Sequence, residues 1–133
     1  MFILLGCPDH VELKVSDNGR LFGYSADIVS SFPEVSKSYR LYDEYFETYT
    51  IQPETFAGRD WYLSDSGHAI WYHDGKWRVG KEENKGTSTS VFYTDDDDEC
   101  PHQPKSWGFR WKYYDGEEDK WWSDGHLTIS RES

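Results

Sequence analysis

Long apolar runs are missing from this chain. No stretch approaches the roughly 20 residues that a membrane-spanning helix needs, so no membrane insertion is expected. Basic side chains are outnumbered, 14 Lys and Arg against 25 Asp and Glu, for a formal net charge of −11. Nucleic acid and anionic membrane surfaces both demand positive potential, and the balance argues against them as partners. It favours solubility and leaves room for mimicry of an acidic polymer. No Asn-X-Ser/Thr sequon occurs and no glycine-rich phosphate cradle. The five histidines, at 10, 68, 73, 102 and 126, have neither the His-x-x-x-His nor the Cys-x-x-Cys spacing of a zinc site. Cysteine is scarce: Cys7 and Cys100 are the only two. An even pair is compatible with one disulfide or with two free thiols. Met1 to Gly6 is apolar but short, and lacks the basic stretch of a signal peptide. A secreted form is therefore expected to have lost its leader ahead of this numbering.

What is present is aromatic: seven Trp, ten Tyr and seven Phe in 133 residues. Each buried ring removes about 150–250 Å² from water, so rings can build a core where aliphatics are few. The length suits one domain, residues 1–133, that buries roughly two-thirds of its unfolded surface. The centre of the pattern is His68-Ala-Ile-Trp-Tyr-His-Asp-Gly-Lys-Trp-Arg-Val-Gly80. Asp74-Gly75 between two aromatic runs is a hairpin signal, because a type I′ turn needs positive φ at both central positions. A two-residue loop fixes the register: His73 opposite Lys76, Tyr72 opposite Trp77, Trp71 opposite Arg78, Ile70 opposite Val79. Alternation then puts Ile70, Tyr72, Trp77 and Val79 on the core face. The other face carries His73, Lys76, Arg78 and an exposed Trp71.

Taken in order, Val11 to Val15 and Leu21 to Tyr24 flank Asn18-Gly19 as a second hairpin. Residues 25–37 have no period and read as loop. Tyr39 to Tyr42 and Tyr45 to Ile51 read as strands from aromatic and β-branched content. Gln52 to Gly58 is a connection, and Asp60 to Leu63 leads into the central hairpin. Residues 81–90 are polar loop, and Val91 to Tyr93 returns to the sheet. Trp107 to Tyr113 places aromatics on odd positions only, which is period two with one buried face. Asp115-Gly116 and Asp124-Gly125 bracket Lys120 to Ser123, with Trp122 expected opposite Leu127 and Trp121 opposite Thr128. Four Asn-Gly or Asp-Gly pairs between aromatic runs predict an all-β antiparallel sandwich or small barrel of seven to ten short strands, with minimal helix.

Certain motifs carry a resemblance: Cys7-Pro8, Gly58 to Tyr62, Ile70 to Tyr72, Trp77 to Val79, Tyr93 to Asp95, and Cys100-Pro101 ahead of Trp107. Together they resemble an aromatic-rich Cys-Pro/Trp-Tyr β-domain that recurs, often in tandem, in extracellular proteins of invertebrates and protists. The likeness covers most of the chain, while residues 25–50 look like an insertion. It implies an extracellular or secreted location, a binding or scaffold role rather than an enzymatic one, and a bridge between Cys7 and Cys100. Closing about 90 residues would stabilise by about 4 kcal/mol in the chain-entropy model. Free thiols would instead point to an intracellular protein.

The candidate sites follow. Ser64, Asp65, Ser66 and His68 hold triad residue types, but without a nucleophile elbow they read as turn residues. No catalysis is expected. Asp95, Asp96, Asp97 and Asp98 with Glu99 form a carboxylate run; calcium is the cation it would take, though the spacing fits no calcium loop. Trp71, His73, Arg78, Tyr114 and Trp121 lie off the predicted core face. Flat rings among polar groups there suit a carbohydrate or protein ligand. The expected function is a non-catalytic, lectin-like recognition module with no cofactor. The alternatives are a matrix protein whose acidic loop binds calcium or mineral, and an acidic inhibitor.

Overall fold

A computed structural model describes residues 7–15, 37–95, 99–102, 111–123 and 127–131. Their fold is one curled antiparallel sheet of nine strands. The strands are β1 (His10–Val15), β2 (Thr48–Ile51), β3 (Tyr62–Leu63), β4 (His68–His73), β5 (Lys76–Lys81), β6 (Phe92–Thr94), β7 (Lys112–Asp115), β8 (Lys120–Ser123) and β9 (Leu127–Arg131). A single short helix, α1 (Lys37–Tyr42), precedes β2. The spatial order is β8-β7-β6-β5-β4-β3-β2-β1-β9, so consecutive strands pair from β1 to β8, and β9 pairs with β1.

The β4–β5 hairpin has the register its turn dictates. Ile70 pairs with Val79, Trp71 with Arg78, Tyr72 with Trp77 and His73 with Lys76. Asp74 and Gly75 adopt φ of 54° and 77°, the left-handed values that a two-residue turn of this hand requires. Asp115-Gly116 does not make such a turn. Asp115 pairs with Lys120, and the four residues between them reverse the chain with Asp119 in the left-handed region. The Asp115 carboxylate accepts from the backbone N–H of Glu117 and Glu118, which closes that turn from its first residue.

The concave face holds the core. Val11, Leu13, Tyr49, Tyr62, Ile70, Trp77, Val79, Phe92, Trp111, Tyr113, Leu127 and Ile129 pack there with the cysteines. The period-two reading of the segment through residue 113 holds where it can be followed: Trp111, Tyr113 and Asp115 are buried, and Lys112 and Tyr114 are partly open. Phenol groups inside this face reach backbone oxygens. Tyr49 donates to the Tyr45 carbonyl at 2.7 Å, and Tyr62 to the Pro8 carbonyl at 2.6 Å. Burial pushes both phenols far above the ordinary tyrosine range. Cys7 and Cys100 form a disulfide across 93 positions of sequence, their Cα atoms 5.4 Å apart.

Three expectations change. Tyr39 to Tyr42 is helix, not strand, and Tyr45 closes the 3₁₀ turn that follows. Tyr42 and Tyr45 set their rings edge-on to Phe92, at 5.4 and 6.1 Å. A spacing of three puts both on one side of a helical turn, whereas a strand would split them. Second, Trp122 pairs with Tyr113 and Trp121 with Tyr114, while Leu127 pairs with Val15 and Thr128 with Lys14. Strand sense explains this. Counting alternations from β1 gives β8 and β9 the same direction, so they form no hairpin. Third, Lys81 ends β5 and Glu82–Asn84 form a 3₁₀ turn; the rest of residues 81–90 is loop as expected, though packed on the sheet. The Asn18-Gly19 hairpin, the strand at 107–110 and Asp124-Gly125 lie outside the described residues.

Candidate functional site

Every second residue of β4 to β8 points to the convex face, and two halves of that face differ. Cross-strand pairing runs Trp71–Arg78–Tyr93–Lys112–Ser123 in one continuous row. Over β4 and β5 the row is roofed. The segment 82–90 starts with a 3₁₀ turn at Glu82–Asn84 and folds back over the strands. Trp71 donates its indole N–H to the Thr87 carbonyl at 3.2 Å, and Arg78 donates through Nη1 to the Ser88 carbonyl at 3.2 Å. Arg78 Nε also reaches the His73 carbonyl. Gly80 leaves the space: a Cβ there would meet Trp71 Cη2 at 3.0 Å and Ser90 Cα at 3.2 Å.

Trp71 is therefore fully buried, at 0% exposure, and cannot present its ring to a ligand. The expectation of an exposed Trp71 fails because backbone carbonyls of the polar run, not a second sheet, cover it. Arg78 is 6% exposed and faces Tyr93, its guanidinium carbon 5.9 Å from that ring, rather than sitting over Trp71. Burial draws its pKa below the ordinary arginine value against the pull of Asp74, Tyr93 and Asp95. His73, partly open, closes β4 beside the turn.

Over β6 to β8 the same face is open. Tyr93, Tyr114 and Trp121 are all partly exposed, and none belongs to the core cluster. Trp121 stands edge-on to Tyr93 at 4.7 Å and tilted to Tyr114 at 5.4 Å. The Tyr114 hydroxyl donates to the Asp119 carboxylate, which fixes the ring against the β7–β8 turn; that bond raises the phenol pKa. Around Tyr93 stand Lys112 at 5.3 Å, Arg78 at 5.9 Å and Lys76 at 6.0 Å from the ring centre. Asp95 ties two of these together, 3.2 Å from Lys112 and 3.6 Å from Lys76. Desolvation works to lower the Lys112 pKa, but the bond to Asp95 and the neighbouring Tyr93 carry it above the ordinary lysine value.

Of the candidate ligand residues, Tyr114 and Trp121 thus come together, Arg78 lies behind them, and Trp71 and His73 stand apart. Tyr93 joins the two groups and was not singled out. Its place was legible in principle, since a strand alternating Phe92, Tyr93, Thr94 beside two aromatic strands sets Tyr93 on the outer face. Of the carboxylate run, Asp95 is engaged with two lysines, and Asp96, Asp97 and Asp98 lie outside the described residues. Among the described residues no group of three or more His, Cys, Asp or Glu is placed to hold a metal ion.

At the start of β4 a groove of about 430 Å³ is lined by Glu44, His68, Lys81, Glu82 and Glu83 among others. His68 Nδ1 sits 2.6 Å from Glu47 and its ring stacks on Tyr45 at 3.9 Å. Ser66 donates to the other Glu47 oxygen, and Ser64 Oγ accepts from the His68 backbone N–H. Neither serine hydroxyl bonds the imidazole, so these residues build a turn rather than a nucleophile–base pair. A neighbouring groove of about 290 Å³ runs past Trp61, Gln52 and Glu54. Lys85 already covers the Trp61 ring at 3.6 Å.

No protein-family model, no curated protein and no solved structure matches the chain. Among the described residues, no helix is long and apolar enough to cross a membrane.

Proposed function

We propose that this chain is a non-catalytic recognition module that binds carbohydrate through the convex face of β6–β8, outside the cell. The supporting observation is the trio Tyr93, Trp121 and Tyr114: three partly open rings, Trp121 edge-on to Tyr93 and tilted to Tyr114, on a hydrogen-bonded sheet. Such rings are ordered before any ligand arrives, so little entropy is lost on binding. Their flat faces suit the C–H faces of sugar rings, and Lys112, Asp95 and Asp119 supply hydrogen-bond partners for hydroxyls at the rim. The disulfide supports an exterior location, since such bonds persist in oxidising compartments.

A glycan array with and without Ca²⁺ tests the reading. The expected result is binding that Ca²⁺ does not alter and that Trp121→Ala abolishes at unchanged melting temperature. Absence of any glycan signal, or equal binding by Trp121→Ala, would refute it. Binding seen only with Ca²⁺ would return the function to the acidic run.

A further inference from the structure

Lys76, Arg78 and Lys112 all stand within about 6 Å of one ring, Tyr93. In a chain of net charge −11 this gathers three cations around one ring, with Asp95 and Asp74 as the carboxylates that face them. Both lysines are only about one-third exposed, 32% and 31% by side chain, because their stems lie along the sheet while their ammonium groups stay at its surface. Two ammonium groups are thus held in place and partly stripped of water before any ligand arrives. The occupant they already have is informative: each Asp95 oxygen meets a different lysine, Oδ1 toward Lys76 and Oδ2 toward Lys112. An anionic group that offers one oxygen to each lysine therefore fits between them, beside the Trp121 ring.

We propose that the ligand of this face is an acidic glycan, whose carboxylate or sulfate takes the place of Asp95 between Lys76 and Lys112 while its sugar ring rests on Trp121 and Tyr93. This deepens the carbohydrate reading and rests on it. Asp95 is then a built-in competitor: it keeps the two cations neutralised in the free protein and yields them to a better-placed anion. The contacts Asp95 gives up are charge-assisted, as are those the ligand anion makes, so the ring contacts that the ligand adds are what favour the exchange. The molecule's overall negative charge repels anionic polymers at long range, which limits binding to ligands that also satisfy the rings.

The test is calorimetric titration with three oligosaccharides of equal length, one uronate-bearing, one sulfated and one neutral, together with a single-stranded oligonucleotide. Wild-type protein should bind one or both acidic sugars at least tenfold more tightly than the neutral one, and the oligonucleotide weakly. Asp95→Asn should tighten acidic-sugar binding several-fold; Lys112→Gln and Lys76→Gln should each lower the preference for acidic over neutral sugar about tenfold. The uronate and sulfated arms tell which anion is preferred. Weaker acidic-sugar binding by Asp95→Asn, no change in the lysine variants, or preference for the oligonucleotide overturns the inference. If the neutral sugar binds best and only Trp121→Ala removes it, the anion assignment falls and the carbohydrate reading stands. If no sugar binds, both fall.

Discussion

Trp71 and Trp121 are indoles on the same convex face with opposite roles. Trp71 fills the space above Gly80 and is sealed by the Thr87 carbonyl, so it behaves as a core residue outside the main core. Trp71→Ala should cost about 3–5 kcal/mol, in the same range as Trp77→Ala on the concave face, because both rings are fully buried. Urea denaturation of the two variants checks this; wild-type stability in Trp71→Ala would mean that the segment 87–90 does not cover it. His102 offers a pH test. Its Nδ1 is buried with no hydrogen-bond partner among the described residues, and burial, with Arg131 nearby, holds its pKa below the ordinary 6.5. The folded value is the lower one, so the unfolded chain takes up the proton first. This contribution should lower stability as pH falls from about 6.5 and level off once the folded protein is also protonated. Melting curves from pH 7.5 to 5 should be flatter at the acid end for His102→Gln than for wild type.

At the scale of elements, the β4–β5 hairpin was legible because Asp74-Gly75 leaves one register, and the register assigns every face. The roof over Trp71 was not legible. Thr87, Ser88, Thr89 and Ser90 have no apolar period, and they act through backbone carbonyls, which any residue carries. The helix α1 was missed for a related reason: aromatic content favours strand, but Tyr42 and Tyr45 needed to meet Phe92 from one side, and tertiary packing overrode propensity. The pairing of β8 was missed because Asp124-Gly125 invites a hairpin locally, while the sheet as a whole needs β9 beside β1. Tyr93 shows the limit for the candidate site: its outward direction could be read from alternation, but its cluster of cations depends on three different strands. The roof makes its own prediction. Gly80→Ala should destabilise by about 1–3 kcal/mol, since the added methyl meets a fixed ring and a backbone Cα at once. A stability equal to wild type in equilibrium denaturation would show that the segment 87–90 has freedom to move away.

Over the whole molecule, the Cys7–Cys100 bridge ties the approach to β1 to the segment after β6. Reduction of this bridge should lower stability by about 4 kcal/mol or slightly more in the chain-entropy model, read as a shift in the urea midpoint with and without reductant. Intact mass should rise by two protons on reduction. Two alkylatable thiols in the folded, unreduced protein would instead remove the argument for an exterior location. The central claim, that Trp121 on β8 meets the ligand while the roofed Trp71 does not, is tested most directly by the indole N–H signals in a two-dimensional NMR titration with an acidic oligosaccharide. The Trp121 signal should shift progressively with added sugar, and the Trp71 signal, held on Thr87, should stay where it is. Shifts at Trp61 or Trp71 with Trp121 unmoved would contradict the account.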